Sequence, residues 1–142
     1  MARADFTFTH PLRVRWAEAD MQGVVFNGHY LTYFDVGITE YWRAIFYGDA
    51  AQMRETLDRL YVVKSTVEYH ASANFDDALD VCVRIARLGR SSIRVLFELH
   101  RGGAHLVSGE NVYVHAHAGR SEPLPEALRV HVQRFERTPL QD

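Results

Sequence analysis

The chain has 142 residues, 47% hydrophobic and 24% charged, with a formal net charge of −2, which is enough for one domain with a real core and not for two. The lack of a basic excess excludes a general nucleic-acid or membrane-surface binder, although a local basic patch for a small anion stays open. One cysteine, Cys82, excludes an internal disulfide and fits a cytoplasmic protein; Met1 to Thr9 carries no secretory apolar core, and no apolar run approaches the roughly 20 residues of a membrane span.

Phe6 to Trp16, FTFTHPLRVRW, alternates apolar and polar residues and predicts a half-buried strand, with Pro11 confining it to an edge or a bulge. From Tyr30 to Tyr47 the period changes. Tyr30, Phe34, Gly37, Ile38, Tyr41, Trp42 and Ile45 recur at three and four residues and form the apolar stripe of a long helix, with Gly48 as its stop. Asp49 with Gln52 resembles a capping box and predicts a short second helix carrying Met53, Leu57 and Leu60.

After Tyr61 the chain reads as strands. VVKSTVEYHASA is one; ALDVCVRIARL turns Leu79, Val81, Val83 and Ile85 one way and Asp80, Cys82 and Arg84 the other; SIRVLFELH repeats the pattern. Gly89-Arg90 and Gly102-Gly103 mark tight connections, and HLVSGENVYVHAHA is a last long strand with Gly109 as a predicted bulge. Pro125, Leu128, Val132 and Phe135 suggest a short terminal helix. With no repeats or linkers, residues 1–142 read as one α+β domain, an antiparallel sheet of about five strands wrapped around one long central helix.

Asp20, Gly23, Val24-Val25, Asn27 and Tyr30, followed by the aromatic helix, resemble the active-site segment of the hotdog-fold acyl-CoA thioesterases of the 4-hydroxybenzoyl-CoA thioesterase family, including its Tol-Pal-associated branch. TVEYHASANFDDAL and LGRSS resemble later segments of the same family, so the likeness runs from about Phe8 to Val114. The resemblance implies a hotdog fold, hydrolysis of an acyl-CoA or aryl-CoA thioester without metal or cofactor, and a homo-oligomer: a two-fold dimer, further paired into a tetramer. The Tol-Pal-type enzymes carry a histidine where Asn27 stands, which leaves the acyl group open.

A thioester is already activated, so its hydrolysis needs a carboxylate to attack the carbonyl or activate water, and donors for the developing oxyanion. Asp20 can supply the first and the free amides of the following helix the second; the resemblance places the oxyanion donor at the Asn27 amide. The resemblance implies that Gly23, Val25 and Tyr30 of the same segment bind substrate. The resemblance puts an acid, Asp35, near the acyl tail, and the turn of Arg90, Ser91 and Ser92 on the CoA nucleotide. Each has a plainer alternative: Asp20 turning the chain, Asn27 capping the helix, Asp35 on a solvated flank, Arg90 in an ordinary hairpin turn.

Other chemistries are weaker. A hydratase or dehydratase on the same fold pairs a histidine with an acid, and His29, beside Tyr30 in the helix, suits that poorly. A non-catalytic acyl-CoA binder is the third possibility. His115 and His117 share a strand face that His70 or His100 could join, yet no carboxylate or cysteine has metal spacing beside them, and exposed strand histidines are the expectation.

Overall fold

The computed structural model describes residues 2–142. Strand β1 (Phe8–Arg13) is followed by helix α1 (His29–Ile45), a short helix α2 (Ala50–Leu57), then β2 (Leu60–Tyr69), β3 (Ala78–Leu88), β4 (Ser92–Arg101), β5 (Ala104–His117), a two-residue β6 (Arg120–Ser121) and α3 (Glu126–Phe135). The sheet order is β1-β3-β4-β5-β2 with every neighbour antiparallel, and β6 pairs with β5. Sheet and helices together are α+β.

Helix α1 forms because its apolar residues fall on one stripe, uninterrupted by proline. Tyr30, Tyr33, Phe34, Gly37, Ile38, Tyr41, Trp42 and Ile45 are all buried. Each large side chain removed from water on this stripe contributes about 1.5–3 kcal/mol. The contact with the sheet is close: a Cβ on Gly37 would lie 2.6 Å from Val81 Cγ1. Phe34 stacks on Phe97 of β4 with ring centroids 4.6 Å apart. The helix ends at Phe46, and Gly48 turns the chain at φ +81°.

Several details depart from the sequence reading. Leu60 opens β2 and is not part of α2, whose start is nevertheless capped as expected by Asp49 Oδ1 accepting from the Gln52 amide at 3.0 Å. The first strand spans only Phe8–Arg13; Pro11 sits on it at the sheet's edge, where its missing N–H costs no ladder bond. Gly109 is no bulge, since its pairings with Val67 and Phe97 are regular. It is glycine because a Cβ there would stand 2.2 Å from the Phe34 ring. The irregularities lie instead at Val62/Lys64, Ile85/Arg87 and Leu99/His100.

The alternating strand β3 is covered on both faces. Cys82 and Arg84, read as outward, are buried. The C-terminal tail crosses that side, where Arg84 donates to the Pro139 carbonyl at 2.9 Å and the Gln141 amide to the Ala86 carbonyl at 2.6 Å. Strand β2 is the contrary case: among the described residues it pairs only with β5, and none of its residues is buried.

Candidate active site

Between β1 and α1 the chain folds into a short, heavily bonded loop. A 3-10 turn, Trp16–Glu18, leads into a tight reversal in which the Asp20 amide donates to the Val24 carbonyl at 2.8 Å and the Gly23 amide to the Asp20 carbonyl at 3.0 Å. Gly23 takes φ +81°, which is why glycine stands there. Val24 bridges to Asn74, and the Val25 amide donates to the Ala73 carbonyl at 2.9 Å, tying the loop to the segment before β3.

The reversal holds Asp20 on the wall between two openings. One, of about 340 Å³, is lined by Asp20, Val25, Asn27, Tyr30, Tyr69 and Ser72 among others. The other, of about 410 Å³, lies against Trp16, Met21, Gly23 and Phe75. Asp20 Oδ1 accepts from the Gln22 amide at 2.8 Å, a local bond that fixes the carboxylate's direction. Val25 and Tyr30 form the buried floor. The Tyr30 hydroxyl accepts from the Ala73 amide at 3.1 Å, and its ring meets Tyr69 edge-on at 5.5 Å.

Asn27 is exposed and does not cap α1 with its side chain: the cap position is Gly28, without a side-chain bond. Its carbonyl instead accepts from the Tyr69 hydroxyl at 3.2 Å and from the Tyr30 amide at 3.4 Å. Among the described residues the amides of Asn27 and Gly28 have no acceptor, and Asn27 lines the cleft that Asp20 borders.

Sequence reasoning missed Glu18. It is buried two residues before Asp20 and takes bonds from the Arg15 amide (2.8 Å), Arg15 Nε (2.9 Å) and the Tyr33 hydroxyl (2.9 Å). Burial pushes its carboxyl up, but the Arg15 guanidinium and amide and the Tyr33 hydroxyl outweigh that and hold it below the ordinary range. Its carbonyl takes the Phe26 amide at 3.0 Å. Glu18 thus pins both arms of the loop to α1; the spacing of Arg15 and Glu18, three apart in the sequence, was the available signal.

Other expected residues lie apart. Asp35 is exposed on α1 and lines neither opening. Arg90 and Ser91 lie in the β3–β4 turn and Ser92 opens β4; the Arg90 carbonyl accepts the Leu124 amide at 2.8 Å and the Ser91 carbonyl the His115 amide at 2.8 Å. The Arg90 guanidinium is exposed and has no ion pair among the described residues. Strand β3 has 11 residues, so at about 3.3 Å per residue the Arg90 turn stands on the order of 30 Å from the Asp20 end. One chain does not unite the two.

The histidines also differ from expectation. His117 is exposed, but His115 and His100 are buried, and His100 Nε2 lies 2.9 Å from Glu98 Oε1, a carboxylate that spacing did not suggest.

Comparison with known proteins gives a consistent picture. The family described as the thioesterase-like superfamily matches residues 14–132. The acyl-CoA thioester hydrolase YbgC of Escherichia coli O6:H1 is 33% identical over 86 residues, 61% of this chain and 63% of that protein, so the chain spans somewhat under two thirds of that relative. The acyl-CoA thioesterase YbgC of Haemophilus influenzae is 30% identical over 94 residues, 66% of this chain and 68% of that one. A solved thioesterase from Thermus thermophilus, complexed with coenzyme A and Zn, matches with a TM-score of 0.84 and 30% identity over 96% of this chain and 98% of that one. The curled antiparallel sheet with its helices and these likenesses fit a hotdog fold. The chain belongs to the thioesterase-like superfamily.

Proposed function

We propose that this protein is an acyl-CoA thioesterase, hydrolysing a CoA thioester to the free carboxylic acid and CoA. The reading rests above all on one observation: the Asp20 carboxylate borders a cleft that Asn27 also lines, and the amides of Asn27 and Gly28 at the start of α1 are unpaired among the described residues. The thioester carbonyl carbon would sit at Asp20. Its oxygen, becoming an oxyanion, would take the two amides, an arrangement worth about 10²–10³ in rate per donor. Asp20 takes a proton from the attacking water, or attacks the carbon directly to form an acyl-aspartyl anhydride that water hydrolyses after the thiolate has left. The thiolate then leaves; a thiol pKa of roughly 8.5 makes it a leaving group that needs no strong acid. Family membership and the YbgC relatives support the same chemistry.

Substrate binding follows from the fold, which we take as a single hotdog domain over residues 1–142 with α1 as its central helix. Gly23, Val25 and Tyr30 shape the pocket, and Asp35, on the exposed flank of α1, serves the far acyl end. The protein works as a two-fold dimer, paired further into a tetramer, in the cytoplasm. No helix among the described residues is long and apolar enough to cross a membrane.

The dimer accounts for the separation of Asp20 from Arg90. Strand β2 exposes Tyr61, Val62 and Val63 and offers a free edge. Its Tyr69 end borders the Asp20 cleft, and its Leu60 end pairs with His115, beside Ser91. Two copies of β2 joined antiparallel about a two-fold axis would bring the Arg90 turn of one chain toward the Asp20 end of the other. Arg90, Ser91 and Ser92 would then hold the CoA phosphates of a substrate cleaved by the partner.

A thiol-release assay of the pure protein across acyl- and aryl-CoA esters tests the activity. Turnover of at least one ester is expected; binding without release of thiol would refute it.

A further inference from the structure

On the face of the sheet turned away from α1, polar side chains gather at the β4–β5 hairpin. Phe97 packs on Phe34, so its neighbours Glu98 and His100 point the other way. Both are buried. His105 returns on β5 and pairs with His100 in the register. The rings of His100 and His105 stack with centroids 4.8 Å apart, and His70, at the end of β2, meets His105 at 4.9 Å.

The nitrogens converge. His100 Nε2 lies 2.9 Å from Glu98 Oε1, and His105 Nε2 lies 3.9 Å from the same oxygen. One ligand atom from each of Glu98, His100 and His105 falls within 4.8 Å of the other two. Around a tetrahedral zinc with bonds near 2.0–2.1 Å, donors stand roughly 3.3 Å apart. The separations of 2.9 and 3.9 Å bracket that value, so a shift of His105 on the order of an ångström, with a turn of its ring out of its near-parallel stack on His100 (interplanar 19°), would close the set. His105 is exposed on the hairpin, two residues beyond the glycine pair Gly102-Gly103. Its Nε2 now rests on softer partners, the Ser108 hydroxyl at 3.0 Å and the Val107 carbonyl at 3.1 Å.

We propose that Glu98, His100 and His105 form a binding site for one divalent transition-metal ion of the zinc class, on the face of the sheet opposite α1. Two imidazoles and one carboxylate suit zinc, cobalt or nickel and not magnesium or calcium, which take oxygen donors. The set holds two rigid members on β4 and one adjustable member on the hairpin, a site able to admit an ion and then close on it. Neither opening beside Asp20 is lined by these residues, so the ion takes no part in the thioester chemistry. It would cross-link β4 to the start of β5 and fasten the hairpin.

The test is calorimetric titration of Zn²⁺ into the chelator-treated full chain, with Co²⁺ as a visible-spectrum reporter of nitrogen ligation. One ion per chain and micromolar or tighter affinity are expected. His105→Ala, at an exposed position on the hairpin, should weaken binding at least about tenfold, the least that loss of even an outlying partner of a metal site costs. His117→Ala, an exposed histidine on the same strand outside the cluster, should leave affinity unchanged. Zn²⁺ should also raise the melting temperature of the parent and not of His105→Ala. No Zn²⁺ binding below millimolar, or equal losses in the His105 and His117 variants, would overturn the site. Thioesterase turnover should be the same with and without Zn²⁺, which separates this proposal from that of the function.

Discussion

Strands β2 and β3 are close in length and opposite in condition. Strand β3 lies between β1 and β4, takes α1 on one face at Val81 and Val83 and the C-terminal tail on the other at Arg84. Strand β2 has a neighbour on one side only, and Tyr61, Val62 and Val63 are more than half exposed. The difference teaches that the chain completes its own core around β3 and leaves β2 unfinished. The stability of one chain should therefore be decided at β3, and its assembly and substrate binding at β2.

The largest effect is expected on the β3 side. Gly37→Val would push a branched side chain into Val81 and Val83, where even a Cβ stands 2.6 and 3.0 Å from side-chain carbons. Overpacking of that kind costs about 1–3 kcal/mol and more where the neighbours are themselves locked, as β3 is. Chemical denaturation should show a loss at or above the top of that range. A loss under about 1 kcal/mol would mean α1 rides on β3 far more loosely than the contacts imply.

At β2 the comparison can be sharpened by mixing two variants. Asp20→Asn keeps the oxygen that the Gln22 amide uses, so the loop should survive, while kcat falls by roughly 10²-fold or more. Arg90→Ala should weaken CoA-ester binding and leave a truncated thioester without the nucleotide unaffected. If each site takes Asp20 from one chain and Arg90 from the other, a mixed dimer regains one intact site. Random reassembly should then restore roughly a quarter of parental activity at low substrate, well above the sum of the two variants alone. No restoration would place both residues' work within one chain and break the account of β2 as a joint.

A smaller effect is expected from the edge itself. Val63→Lys sets like charges near each other across a two-fold axis and keeps the exposed strand soluble. Sedimentation should show dimers dissociating at higher concentration than for the parent, while a single chain's resistance to denaturant changes little. A large loss of chain stability would mean that β2 is already packed within the monomer.

Much of this was legible in the sequence, for a physical reason. The strands and α1 have strong periods, so ALDVCVRIARL coincides with β3 and the aromatic stripe with the buried face of α1. The turn at Asp20 was legible through its glycine and the family likeness. Burial on the second face of β3 was not, because the tail that covers it is more than 50 residues away in the chain and carries no period. Gly109 looked like a bulge because periodicity does not reveal which ring will press on a strand; only the approach of Phe34 does. Glu18 and Glu98 were invisible as buried groups, since a carboxylate is buried only when its partners arrive from elsewhere: Tyr33 for the one, the hairpin histidines for the other.

The finest test concerns two buried carboxylates that should respond to pH in opposite senses. Burial raises Glu18, but the bonds from Arg15 and Tyr33 prevail and leave its folded value below the ordinary one of about 4.3. The unfolded chain therefore takes up this proton first as pH falls. The stability that Glu18 adds is complete above the unfolded value and is lost as pH drops through it toward the lower folded one. Glu136 is the reverse. Burial raises its carboxyl, and the Ile85 amide (3.0 Å) and Tyr41 hydroxyl (2.7 Å) offset this only in part. Its Oε1 is buried without a hydrogen-bond partner among the described residues. Its contribution is complete below the unfolded value and is lost as pH rises through the higher folded one. Removing each charge with a near-isosteric amide isolates the two. The stability deficit of Glu18→Gln should be greatest near neutral pH and shrink as pH falls below about 4, the unfolded glutamate range. For Glu136→Gln, whose oxygen can still accept from Ile85 and Tyr41, the variant should gain on the parent as pH rises from about 4 toward neutrality. Denaturant midpoints of parent and both variants, taken across that range, check the signs. Parallel trends in the two variants would mean that the loop beside Asp20 and the tail beside β3 do not shift their carboxylates in opposite directions.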